Sequence, residues 1–387
     1  MSEDPFGKWW PCLKKHEKRL EVWTPHLKML KQGLNGRQLR YFTLCARPMI
    51  DVYLLVREGL LTLDQNSRRI EGVSFCELDE DAMSEIKELI GVEEAAFLGR
   101  LEDIVLFKDT HRSIAYETLK DISGYIEEEG EGLNPRIFAE LELKRKHLEF
   151  RRFFPFDFLN LDFCDRYYPK PPDVFRIHQT VERILEWQGV AGDAPDGRRI
   201  RVPRFVVAIT CRMDQVFPPQ AANHLKTIVE ENCKTHRQYK TALSRIGTMS
   251  LSQWLINDRL DFFMSSWPKE IIRLAKKNAW DVKILEHIYY DRVGDRGNPY
   301  HMVCLVVEFT KTEECTTYLG AATGALDQRS RREIPFISEK SQKGKFLLKN
   351  LREVVRLRNQ QASLFKRAML PDPEAEIKRL RKEGVAI

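Results

Sequence analysis

The sequence predicts an α/β protein built on a mostly parallel β-sheet with helices around it. Two observations predict it. Five short apolar runs, at 41–46, 73–77, 95–99, 156–162 and 204–210, are separated by segments of helix length. Strands alternating with helices make βαβ units, and buried parallel strands read as near-continuous apolar stretches. Two longer runs, 282–290 and 300–309, then flank Gly294-Asp-Arg-Gly-Asn-Pro299, which is a strong signal for an antiparallel hairpin.

Taken in order, residues 8–38 read as a basic helical segment ended by Gly33, Asn35 and Gly36. The first strand, 41–46, leads to Pro48, which suits the first turn of a helix carrying Met49, Val52, Leu55 and Val56. The second strand ends at Glu77, and a helix over about 80–90 puts Ile86, Leu89 and Ile90 on one face. The third strand, 95–98, ends at Gly99. Residues 110–150 read as a helical insertion broken at Glu127-Glu-Glu-Gly-Glu-Gly132, with an exposed, charge-alternating helix over 136–150. The fourth strand, 156–162, precedes a Pro-rich loop and an amphipathic helix at 174–188. Residues 189–197 read as a surface loop, 204–210 as the fifth strand, and 218–275 as mostly helical. After the hairpin, the tail from 337 is basic and helical to about 370, is broken at Pro371-Asp-Pro373, and is helical again.

The 387 residues are 43% hydrophobic and 31% charged, as expected of a globular protein with a large core. No apolar run approaches the roughly 18 residues that span a bilayer, and the N-terminus lacks a signal-peptide pattern. The eight cysteines form no CxxC pair and no zinc-spaced Cys/His cluster. They read as reduced thiols of a cytoplasmic protein. The nine histidines form no HxH or HExxH pair, so no metal site is expected. The absence of GxxxxGK[ST] and GxSxG argues against a P-loop ATPase and an α/β-hydrolase. The net charge of +6 is concentrated at the ends. Residues 1–40 carry nine Lys/Arg against four Asp/Glu, and residues 329–387 carry sixteen against seven. Either these ends meet an anion such as nucleic acid, or they are solvated amphipathic helices.

In open α/β sheets, ligands bind beyond the carboxyl ends of the strands. Glu77 and Asp162 end two of the predicted strands there. The order of five βα units and a closing hairpin resembles the class I S-adenosylmethionine-dependent methyltransferases, over about residues 38–310. The resemblance implies a Rossmann-like, mostly parallel seven-stranded sheet whose last strand is antiparallel. It divides the chain into a basic extension at 1–38, a methyltransferase-like domain at 39–310, and a basic helical extension at 311–387.

Val73-Ser-Phe-Cys-Glu-Leu-Asp79 is similar to the family's second motif, which implies that Glu77 holds the ribose hydroxyls of S-adenosylmethionine. Phe156-Asp-Phe-Leu-Asn-Leu-Asp-Phe-Cys164 is similar to the fourth motif, most of all that of tRNA guanine dimethyltransferases. That implies Asn160 and Asp162 orient an acceptor amine while Phe163 or Tyr167 stacks on a flipped base. The first motif would be Leu44-Cys-Ala-Arg-Pro-Met-Ile-Asp51, placing Cys45, Ala46 and Arg47 at the cofactor. It holds no glycine where the family has a Gly-rich loop. In the third motif Arg100 replaces the acid expected near the adenine, and Asp103 is the substitute. Against these roles, Glu77 also reads as a helix-capping acid, Asn160 and Asp162 as turn formers, and Tyr167 as loop packing. Two functions follow. One is a divergent methyltransferase acting on an exocyclic amine of a nucleic-acid base. The other is a cofactor-free, methyltransferase-like subunit of a nucleic-acid-processing or bacterial defence assembly, with protein partners.

Overall fold

A computed structural model describes residues 13–44, 46, 48–64, 66–91, 95–107, 122–126, 134–189, 192–193, 199–200, 202–213, 217–244, 250–293, 299–311, 332–333, 342–365 and 369–382. Among the described residues twelve strands occur: β1 (Tyr41–Leu44), β2 (Thr62–Leu63), β3 (Ile70–Glu71), β4 (Val73–Glu77), β5 (Ala96–Leu98), β6 (Phe158–Arg166), β7 (Gly192–Asp193), β8 (Arg199–Ile200), β9 (Arg204–Met213), β10 (Trp280–Val293), β11 (Pro299–Lys311) and β12 (Arg332–Glu333). Eight of them form one sheet in the order β12-β10-β11-β9-β6-β1-β4-β5. β5, β4, β1, β6 and β9 are mutually parallel, and β11 runs antiparallel to both β9 and β10. The five expected parallel strands and the closing hairpin are therefore present. The edge pairing of β12 on β10, and the small hairpins β2–β3 and β7–β8, were not foreseen.

Alternation along the strands sorts side chains onto two faces. Phe42, Cys76, Leu159, Leu161, Phe205, Val207 and Ile209 enter one core, and Tyr41, Phe75, Phe158, Val206 and Ala208 enter the other. The first core is covered by α5 (Leu101–Val105), α6 (Pro135–Arg152), α7 (Arg176–Gln188), α8 (Pro219–Thr235), α9 (Arg237–Ser244), α10 (Leu251–Asn257) and α11 (Arg259–Lys277). The helix expected to be an exposed part of an insertion, α6, buries Leu141 and Phe150 there, while Arg145 pairs with Glu142 and Glu149 on its outer side. The second core is covered by α1 (Leu13–Lys18), α2 (Thr24–Gln32), α3 (Ile50–Arg57), α4 (Glu80–Ile90), α12 (Gln342–Leu364) and α13 (Pro373–Lys382). Both basic terminal segments thus pack on the sheet. Leu27 and Leu351 are fully buried, and Arg358 of α12 reaches Glu85 of α4 at 2.6 Å, itself fully buried.

Local chemistry places the elements that frame the carboxyl edge. Asp79 caps α4 by accepting the Ala82 N–H at 2.6 Å, and Gly91 ends the helix in the left-handed region. Gly72 starts β4 at φ +78°, where an added Cβ would overlap the Leu39 carbonyl. Among the described residues, Cys76, Cys211 and Cys304 are buried free thiols and Cys233 is half-buried. Burial pushes the Cys304 thiol up to about 11. No described helix is long and apolar enough to cross a membrane.

Candidate functional site

The carboxyl edge is built from the ends of β1, β4, β6 and β9. Asn160 lies on β6 opposite Thr43 of β1 and Ala208 of β9, and is 1% exposed. Its amide donates to Thr43 Oγ1 and to Asp51 Oδ2, both at 3.1 Å. Asp51, in the first turn of α3, also accepts from Tyr41 Oη at 2.6 Å and from Thr43 Oγ1 at 2.8 Å. Burial alone would raise the Asp51 carboxyl. The Arg19 charge and the three side-chain donors outweigh it and hold the group below the usual carboxylate range. Asn160 therefore belongs to a buried network that ties β1, β6 and α3 together. Its Oδ1 has no hydrogen-bond partner among the described residues.

Two residues on, Asp162 points to the same side of the sheet. It is the last residue of β6 before its register with β9 shifts, and it sits opposite Thr210. Its carboxylate is ion-paired with Lys15 of α1, the side chains being 14% and 19% exposed. Asp162 Oδ1 is buried with no hydrogen-bond partner among the described residues. The helix that delivers Lys15 is itself clamped. His16 Nε2 lies 2.9 Å from the Asn350 amide of α12, Lys343 of α12 pairs with Glu17, and Lys18 lies 3.8 Å from Glu286.

Phe163 and Tyr167 lie in the first core, away from this network. Tyr167 is 1% exposed and packs edge-on against Tyr168 and Trp267, at 4.9 and 5.2 Å between ring centroids. The strand's two-residue period separates Asn160 and Asp162 from Phe163, so these residues do not converge on one acceptor position.

Of the residues expected at the cofactor, Cys45 and Arg47 lie outside the described residues. Ala46 is exposed, and its carbonyl accepts the Met49 N–H at 2.8 Å. Met49 itself is left-handed at φ +50°, a conformation that normally calls for glycine. Glu77 is half-buried at the end of β4, and its Oε1 accepts the Leu78 and Asp79 N–H groups at 2.7 and 3.2 Å. Asp103 is ion-paired with Arg176 of α7. That pair lines a cleft of about 640 Å³ between α5, α6 and α7, with Leu106, Leu143 and Phe175 among its walls.

A second polar centre lies in the first core. His178 of α7, His224 of α8 and Glu270 of α11 bring three ligand-type atoms within 4.8 Å of one another. His178 Nδ1 and His224 Nε2 each lie 3.0 Å from Glu270 Oε1. Glu270 is 1% exposed. No local spacing in the sequence announces this cluster, because each residue comes from a different helix. The available signal was Glu270 itself, a carboxylate among Phe262, Phe263, Trp267, Ile271 and Leu274 on the apolar face of α11.

No protein-family model matches the chain, and no curated protein or solved structure matches it either.

Proposed function

We propose that the chain is a methyltransferase-like α/β scaffold that serves as a cofactor-free, nucleic-acid-binding subunit of a larger assembly. One observation carries the reading. The two polar residues aligned with the family's acceptor-binding motif are engaged in holding the protein together, Asp162 by Lys15 and Asn160 by Thr43 and Asp51. The strand order supports a methyltransferase-like frame, because β11 inserts antiparallel between β9 and β10.

The partner surface is the outer face of α12. Lys345, Lys349 and Arg356 are exposed at helical i, i+4, i+11 spacing, with Arg352 between them paired to Glu374 of α13, and Phe346, 61% exposed, lies beside them. A line of cations on one helix face tracks a phosphate backbone and reads no sequence by itself.

A second reading keeps the enzyme. Its favouring observation is Glu77, which ends β4 at the position where the family's acid meets the ribose. Calorimetric titration with S-adenosylmethionine and S-adenosylhomocysteine separates the two. The scaffold reading expects no heat from either ligand. Micromolar binding lost in Glu77→Ala establishes the enzyme reading in its place. For the nucleic-acid surface, fluorescence anisotropy with a labelled single strand should show affinity falling steeply with salt. The double variant Lys345→Glu/Lys349→Glu should flatten the salt dependence by about 1–2 in log–log slope. An unchanged slope rejects α12 as the contact.

A further inference from the structure

The geometry points to a divalent transition-metal site formed by His178, His224 and Glu270, and we propose zinc as its occupant. The ligand set is two imidazoles and one carboxylate, a combination that binds zinc with a further position left for water. The spacing is right for it. In tetrahedral geometry with bonds of about 2.0–2.1 Å, ligand atoms lie roughly 3.3 Å apart. Glu270 Oε1 lies 3.0 Å from His178 Nδ1 and 3.0 Å from His224 Nε2, close to that edge length, and all three ligand atoms lie within 4.8 Å of one another, so small side-chain rotations suffice to close them on one ion.

The alternative use of the cluster is an ion pair between the carboxylate and a protonated histidine. The orientations argue against it. His178 Nδ1, His224 Nε2 and both Glu270 oxygens are buried, yet none of the four makes a hydrogen bond among the described residues. The atoms are close, but the contacts lie off the direction an N–H would need. A buried carboxylate with neither oxygen satisfied is costly, and a cation between the three atoms removes that cost.

The surroundings suit an ion that is held. Phe175 packs edge-on against both imidazoles, at 6.0 Å from His178 and 5.3 Å from His224, and fixes their ring planes. The His178 and Glu270 side chains are 12% and 1% exposed, whereas His224 is 23% exposed and gives a path from solvent. α7, α8 and α11 come from separate stretches of chain, so the ion joins three helices that cover one face of the sheet. The nitrogen donors select against magnesium and calcium, which prefer all-oxygen sets.

The test uses the full chain without a histidine tag. Elemental analysis of protein purified without chelator should find close to one zinc per chain. Stripped protein is then titrated with Zn²⁺, and with Co²⁺ for its visible absorption. Loss of an outer-sphere partner commonly costs 10–100-fold in metal affinity, so loss of a direct ligand in Glu270→Gln or His224→Gln should cost more than roughly 100-fold. Chelation should lower the melting temperature of the wild type and leave both variants unmoved. His224→Gln, at the most exposed of the three positions, keeps the test valid if Glu270→Gln fails to fold. Wild-type protein that binds Zn²⁺ no more tightly than His224→Gln, or whose melting temperature ignores added metal, overturns the site and leaves a histidine–carboxylate cluster only.

Discussion

If Asp162 is a structural acid, breaking its pair with Lys15 must cost stability and must do so non-additively. In Lys15→Met the carboxylate loses the Lys15 ammonium, while its Oδ1 already has no hydrogen-bond partner among the described residues. Surface pairs contribute about 0–1 kcal/mol, and breaking a fully buried pair costs about 3–5 kcal/mol. With side chains 19% and 14% exposed, this pair lies between those limits. We expect Lys15→Met to cost about 2–3 kcal/mol. Asp162→Asn should cost less, about 1 kcal/mol, because the flexible Lys15 stem can carry its ammonium to water. The double variant should lose less than the sum of the two, with a coupling of at least about 1 kcal/mol. Urea midpoints at pH 7, followed by circular dichroism, measure all four proteins. The decisive adverse result is an Asp162→Asn protein more stable than wild type. Groups held for chemistry tend to cost stability, so that gain would return Asp162 to a catalytic role.

Other outcomes follow from the same packing. Glu85→Ala leaves the fully buried Arg358 guanidinium without its 2.6 Å carboxylate, so urea denaturation should show a loss of about 3–5 kcal/mol; a loss under 1 kcal/mol would mean α12 is not anchored there. His16 is pushed down from 6.5 to about 3, by burial first and then by the Arg19 charge. Because the unfolded chain takes up the proton first, this contribution is complete above pH 6.5 and is lost as pH falls toward 3. The stability difference between wild type and His16→Gln should therefore shift against the wild type by about 2–3 kcal/mol from pH 7 to pH 4.5, and a constant difference contradicts the neutral buried imidazole. Gly72→Ala forces a Cβ against the Leu39 carbonyl at φ +78° and should cost at least about 2 kcal/mol, whereas Gly59→Ala, at φ +68° with open space around it, should cost about 1 kcal/mol.

The strands were legible because parallel strands buried on both faces cannot hide their composition. Phe205 to Ile209 shows it in an uninterrupted apolar run, and Tyr41 to Leu44 in a short buried run broken only by Thr43. The hairpin of β10 and β11 was legible for a second reason, the dense turn residues between two long runs. The terminal helices were harder to place. A basic amphipathic helix has the same pattern whether its apolar side meets a sheet or another partner, and only the fold shows that α1 and α12 clamp one another through His16 and Asn350. Asn160 misleads for a similar reason. An amide near a strand end serves a ligand or a buried network equally well, and its partners Thr43 and Asp51 come from another strand and another helix. The His178, His224 and Glu270 cluster had no local spacing to read, since its geometry exists only once α7, α8 and α11 pack together.

The distribution of charge gives these pieces a common logic. Ligands of open α/β sheets normally meet the carboxyl ends of the strands, where uncompensated polar groups are available. Here Asp162 meets Lys15, and Asp51 is held ionised by Arg19 and its hydrogen-bond donors. The N-terminal segment therefore supplies cations that neutralise acids at and near that edge, and its basic excess is partly explained without any external anion. The C-terminal excess is different. Arg358 and Lys343 are turned inward or onto acids, but Lys345, Lys349 and Arg356 remain on the exposed side of α12. An anionic partner should accordingly feel substitutions on α12 far more than substitutions of Lys15. Comparing Lys15→Met with Lys349→Glu in the same anisotropy assay tests that division, and equal losses would mean that both ends contact the anion.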